Sequence, residues 1–241
     1  MNLSAEAWLV LLATGLYLYD ALLLLRHDEL VLVRSAGGRW RPAFGANGWK
    51  IAGQEPWLPN PLAPWQALAR VRWKLDQGLA EAAAGELRLP RIGRLPRIGV
   101  ALLGLTMFVA LPLCLFVLRH TAATLAVIAA MYACIAAVLL GLRRDALAQG
   151  LAPGVFRLLA LECVACPPFC VNAVRRVSLR VAPHVTLADV ASQEAAAGRL
   201  DELKRQLQLR VNEQIEALPE GSARLPALQA TARSLDREAE R

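Results

Sequence analysis

Two apolar stretches, Ile98 to Leu118 and Thr121 to Leu142, are separated only by Arg119 and His120 and contain no Asp, Glu, Lys or Arg. Each is long enough to cross ~30 Å of hydrocarbon as a helix, which takes roughly 17 to 25 residues. With no water available, the backbone must close its hydrogen bonds internally, so the pair is expected as a helical hairpin. A third run, Trp8 to Leu25, has the same character. Met1 to Ala7 holds no Lys or Arg and no small-residue cleavage pattern follows Leu25, so this run reads as a retained anchor and not a cleaved signal. At 56% apolar and 20% charged residues, the chain is too apolar for a disordered or ordinary soluble protein.

Charge sets the expected orientation. Of 27 Lys and Arg, all but Arg119 lie between Leu25 and Ile98 or after Leu142. Cytoplasmic flanks retain such residues. The N-terminus is therefore expected outside, residues 26 to 97 inside, the Arg119-His120 turn outside and the tail inside. A net charge of +7 suits anionic lipid better than nucleic acid, which is not expected as a partner. Arg outnumbers Lys 24 to 3 and alanine is abundant, as in bacteria with GC-rich genomes, so the expected location is a bacterial inner membrane.

A fourth apolar run, Val155 to Val174, includes Arg157, Glu162, Pro167, Pro168 and Asn172. Charges at membrane depth cost roughly 2.5 to 3.5 kcal/mol each, and a double proline interrupts a helix. This run is expected to lie in the interface or to form a re-entrant hairpin broken at Pro167-Pro168. The expected fold is thus integral membrane α-helical: three transmembrane helices plus an interfacial or re-entrant helix, a small cytoplasmic β-rich domain and a C-terminal amphipathic helix. Its parts are an anchor over 1–25, a Trp-rich β domain over 26–87, a basic strip over 88–97, the hairpin over 98–142, a Cys-containing segment over 143–180 and a helical tail over 181–241.

Within the β domain, Leu30 to Arg34, Arg39 to Gly45 and Trp49 to Gly53 are rich in β-formers and separated by Gly37-Gly38 and Asn47-Gly48, which predicts a three-stranded meander. Trp40, Trp49, Trp57, Trp65 and Trp73 recur every eight or nine residues, as core aromatics or as interfacial anchors. Pro56, Pro59, Pro61 and Pro64 predict an extended loop without regular hydrogen bonding, wrapped over the domain. From Trp65 to Leu75, charged and apolar residues alternate with period two, favouring a strand.

The hexapeptide RLPRIG occurs twice, over 88–93 and 94–99. In a polyproline II helix, with three residues per turn, Arg88, Arg91, Arg94 and Arg97 align on one edge, where they are expected to bind anionic headgroups. Asp20 is the clear ionisable residue within a span and is expected to clamp Arg143, Arg144 or Arg26. Cys163, Cys166 and Cys170 form C-x2-C-x3-C, a spacing able to bring thiolates to one ion, although no nearby histidine completes a ligand set. Packing is the favoured role for them; a metal or redox site built on these thiols with Glu162 is the alternative, and no cofactor is expected otherwise. His27, Asp28 and Glu29 read as a solvated helix end.

Thr186 to Asp189 has the form of a capping box, starting a helix that runs to Leu218 with an interruption at Gly198. Leu200, Leu203, Leu207, Val211, Ile215 and Leu218 form an apolar stripe on it that must be buried, against the tryptophan domain, a second copy or a docked partner. Past Pro219 a loosely ordered appendage is expected. Nucleophile elbows, phosphate-binding glycine loops and HExxH are absent from the sequence. The expected function is that of a non-enzymatic accessory, scaffold or assembly factor that contacts another membrane or cytoplasmic protein, or itself.

Overall fold

The computed structural model describes residues 4–35, 39–46, 49–72, 89–181, 187–219 and 222–239. Within them the chain is mostly helical with a small antiparallel sheet domain, and two helices are long and apolar enough to cross a membrane. These are α2 (Arg94–Leu118) and α3 (Thr121–Ala148), the expected hairpin. Proline at 112 lacks the amide that an α-turn requires. Around it α2 widens into π-turns over Thr106–Ala110 and Leu113–Leu118. Arg119 closes the helix in the left-handed region (φ 48°), and the His120 ring accepts a hydrogen bond from the Ala123 amide to start α3.

The apolar run from Trp8 to Leu25 is divided. Helix α1 (Ala5–Ala21) is capped by the Ser4 hydroxyl, which accepts from the Ala7 amide, and gives way to strand β1 (Leu23–Leu25). At 1.5 Å per residue α1 is about 25 Å long, just under the hydrocarbon thickness. It exposes Trp8, Leu9, Leu11 and Leu12 to the surroundings.

The RLPRIG repeat does not form a polyproline strip. The second copy opens α2, with Gly93 as N-cap and Pro96 in the first turn, where a missing amide costs nothing. Its small residues let two backbones approach. A Cβ on Gly99 would lie 2.7 Å from Val138 Cγ2, and one on Gly141 would lie 2.9 Å from Pro96 Cγ. The close packing along α2 and α3 therefore needs these glycines. Gly141→Leu is expected to overpack this seam by about 1 to 3 kcal/mol. It should lower the thermal unfolding midpoint of the purified protein, whereas Gly154→Leu, with open space around it, should change that midpoint little.

Strands β2 (Glu29–Arg34), β3 (Trp40–Ala43) and β5 (Leu68–Arg72) form an antiparallel sheet in the order β3-β2-β5. The meander is corrected in its third member. Trp49 to Gly53 makes a tight turn, with Ala52 and Gly53 at positive φ and an Ile51–Gln54 bridge, while the alternating segment after Trp65 supplies the edge strand. The proline-rich segment is also more ordered than expected. Its start, β4 (Glu55–Trp57), pairs with β1 in the register Leu23–Trp57, Leu24–Pro56, Leu25–Glu55. Proline is tolerated there because this two-stranded ribbon consists only of edges.

Side-chain alternation along β2 buries both faces of the sheet. Leu30 and Leu32 join the main helical core, while Val31 packs with Leu25 and Leu68 beneath the β1–β4 ribbon. Of the described tryptophans only Trp40 is buried; Trp49 is 72% and Trp65 40% exposed, which favours interfacial rings over core packing at these two positions. Trp73 lies outside the described residues.

The fourth apolar run breaks where the prolines predict. Helix α4 (Pro153–Ala165) ends at Cys166, α5 (Pro167–Val171) is a single short turn of helix, and α6 (Ala173–Arg180) follows after Asn172. On α4, Val155, Leu158, Leu161 and Val164 make an exposed apolar stripe.

Two expectations for the tail are corrected. Helices α7 (Leu187–Ala196) and α8 (Leu200–Ala217) flank Gly198, at φ 68°, as expected, but the stripe is not left for a partner. Leu203, Leu207 and Val211 are buried in the chain's own core, with Leu200, Ile215 and Leu218 packed at its margin. The segment past Pro219 is helical: α9 (Leu225–Ala239) packs on α8 and buries Leu228 and Leu235. Pro226 falls in its first turn, so it assists the helix. The capping residue Thr186 lies outside the described residues.

Candidate functional site

The buried polar groups gather where α6 meets the end of α1 and the proline-rich loop. Prolines at 59, 61 and 64 donate no backbone hydrogen bond, so this loop cannot join a ladder; Asn60 O and Ala63 O accept from the Ala63 and Gln66 amides and have room for further donors. Arg175, 2% exposed, supplies them: one terminal nitrogen donates to Asn60 O (2.6 Å) and Ala63 O (3.0 Å), and the other to Asn172 Oδ1 (2.9 Å). Asn172 Nδ2 in turn donates to Tyr17 O (2.9 Å), and the Tyr17 hydroxyl donates to Pro61 O (2.5 Å). Ser178 donates to Arg175 O and accepts from the Leu68 amide (both 2.9 Å), which satisfies the free edge of β5.

Beside Arg175, Arg176 forms ion pairs with Asp20 (3.7 Å) and Glu162, and its guanidinium lies 5.5 Å from the Phe169 ring centre. The clamp expected at Asp20 thus exists with a different partner. Arg143 and Arg144 are exposed on α3, and Arg176 joins α1, α4 and α6 instead. Three buried atoms of this cluster, Asp20 Oδ2, Arg175 Nε and Arg176 Nη1, have no hydrogen-bond partner among the described residues.

Sequence reading missed a second buried charge. Arg210 on α8 pairs with Glu55 on β4, donates to Gly45 O and stands 5.8 Å from the Phe44 ring centre. Burial pushes its guanidinium below the usual range. Gln193 on α7 donates to Trp40 O (3.1 Å), so the tail and the sheet domain form one body. Between them a recess of about 380 Å³ is lined by Arg41, Phe44, Glu194, Arg199, Glu202 and Gln206, among others.

Glu29, expected in a solvated helix end, is buried and bonded to Arg72 Nε (3.0 Å) and the Arg26 amide (3.1 Å), with Arg70 at 3.7 Å. Burial raises its carboxyl, and these three partners outweigh that and hold it below the usual carboxylate range. Arg91 is exposed, and its backbone is held by Gln149, which accepts from Arg91 N and donates to Arg91 O (both 2.7 Å). Arg94 is exposed, Arg97 donates to Ile92 O, and Arg88 lies outside the described residues.

Cys163 and Cys170 are fully buried and Cys166 half-buried at the helix break; all five cysteines are free. A hydrogen bond with Cys163, together with burial, pushes the Cys170 thiol up. Among the described residues no three His, Cys, Asp or Glu side chains are grouped to hold a metal ion. Comparison with known protein families, curated proteins and solved structures finds no match.

Proposed function

We propose that the chain is a multi-pass membrane protein of the bacterial inner membrane, with α1, α2 and α3 crossing the bilayer. Its sheet domain and C-terminal helices form one cytoplasmic docking module for another membrane or cytoplasmic protein, in an accessory or assembly role. The observation that carries this reading is the junction of the two polar segments. Residues 26–97 and the tail after α6 are bonded through Gln193–Trp40 and Arg210–Glu55, so they must share a compartment, and both hold the basic residues that the cytoplasmic side retains. The exposed apolar stripes of α1 and α4 support burial of those helices in lipid. Exposed Arg91 and Arg94, next to the start of α2, are placed at the headgroup level in this reading.

An impermeant thiol reagent tests the arrangement. A cysteine at Ser222 should resist labelling in intact cells and react after permeabilisation, while one at Ser4 should react in both. Labelling of Ser222→Cys in intact cells overturns the topology. Co-purification of a defined membrane partner, lost when the recess is filled by Gln206→Trp, supports the docking role; an unchanged set of partners rejects it.

A further inference from the structure

Next to the buried arginine cluster is a cavity of about 190 Å³, lined by Asp20, Ala21, Leu23, Leu68, Arg175, Arg176, Leu179 and Arg180. Its charged lining is one carboxylate and three guanidinium groups, and Glu162 compensates Arg176 from behind, so a surplus of one positive charge faces the space. In the cluster behind this lining Arg175 Nε, Arg176 Nη1 and Asp20 Oδ2 are buried without a hydrogen-bond partner among the described residues. Arg175 is 98% withdrawn from solvent, and a guanidinium at such depth is stabilised by every acceptor it can reach. Exposed Arg180 lies on the rim and gives access.

We propose that this cavity binds a phosphoester that also carries a hydroxyl, such as the glycerophosphate headgroup of an anionic phospholipid. The guanidinium groups of Arg175, Arg176 and Arg180 on the lining draw in the phosphate oxygens, since guanidinium groups match phosphate geometry. The Asp20 carboxylate on the lining accepts from the hydroxyl, which a bare phosphodiester or a choline headgroup lacks. A phosphodiester carries one negative charge, equal to the surplus on the lining. Leu23, Leu68 and Leu179 give the cavity an apolar side suited to the glycerol and the beginning of acyl chains. The site also rests on the topology proposed above, because Asp20 and Ala21 form the end of α1 assigned there to the inner leaflet.

Binding to the full-length protein, purified in neutral detergent, tests this independently of topology. The probes are dioctanoyl phosphatidylglycerol, dioctanoyl phosphatidylcholine and sn-glycerol 3-phosphate, measured by titration calorimetry. Phosphatidylglycerol is expected to bind one to one and at least about tenfold more tightly than phosphatidylcholine. Arg180→Glu, an exposed change that leaves the buried network intact, should remove saturable binding without shifting the unfolding midpoint. If glycerol 3-phosphate competes with equal affinity, the natural ligand is a soluble phosphoester; if only the lipid binds, it is a headgroup. Equal binding of the two lipids, or full binding by Arg180→Glu, overturns the proposal.

Discussion

Removing the Arg210 side chain while keeping Glu55 is expected to destabilise the union of tail and sheet by about 3 to 5 kcal/mol, the usual consequence of stranding one member of a buried ion pair. Both side chains are almost fully buried, and Arg210 also satisfies Gly45 O. Arg210→Met leaves the Glu55 carboxylate without its partner beside Gly45, where there is no room to adjust: a Cβ on that glycine would lie 2.5 Å from Glu55 Cβ. Thermal unfolding of the purified protein should shift downward, and hydrogen exchange should report early release of α7 and α8. The double change Glu55→Leu with Arg210→Met should recover much of the loss, since an apolar pair of similar volume needs no charge compensation. If the two single losses simply add in the double variant, the pair is not energetically coupled.

What the sequence revealed depended on how locally each feature is determined. The α2–α3 hairpin follows from unbroken apolar length, and the break at Cys166 from two adjacent prolines, neither of which depends on distant residues. Strand β5 was legible because its alternation is a property of five consecutive positions. Asp20 was legible as a charge needing a partner, but the partner's identity was not: Arg176 lies far along the chain, just past a segment whose apolar character drew attention to its cysteines. The stripe on α8 announced that Leu203, Leu207 and Val211 would be covered, and periodicity alone cannot say that α9 and the chain's own core do the covering. Pro226 suggested irregular structure and yet begins α9, because the same ring that breaks a helix interior suits its first turn. The same ambiguity at Pro96 turned a supposed polyproline strip into the start of α2. Strand β4 was obscured by four prolines whose combined weight concealed three residues with a free partner in β1.

Buried arginines were the least legible feature, since nothing in composition separates Arg175 from an exposed arginine such as Arg180. Only Ser178, three residues on, and Asn172, three residues back, hint at a polar helix face directed inward. Such a face is justified by what it meets: a loop whose prolines leave carbonyls turned toward the core. The two features fit together, because the loop presents carbonyls with a second acceptor site free and the arginine cannot be buried without acceptors.

Arg175→Met is accordingly expected to be the most damaging single change near the helices. It strands Asn172 Oδ1, at a cost of about 1 to 3 kcal/mol, and takes a second donor from Asn60 O and Ala63 O, which keep the Ala63 and Gln66 amides. The two charge-assisted bonds to the loop carbonyls are lost as well, and eliminating the burial of one positive charge offsets part of the sum, so a net loss of about 1 to 3 kcal/mol is expected. Arg175→Lys should rescue little, because a single ammonium on a flexible stem cannot hold the two arms of the guanidinium fork, one on the loop carbonyls and one on Asn172. The signature distinguishes this network from general core loosening. Hydrogen exchange should rise first in residues 60–68, where the Ala63 amide is bonded to Asn60 O and the Leu68 amide to Ser178, while α3 keeps its protection. A variant whose loop stays protected, or a lysine variant as stable as the native protein, would show that Arg175 is held by its surroundings and does not itself organise them.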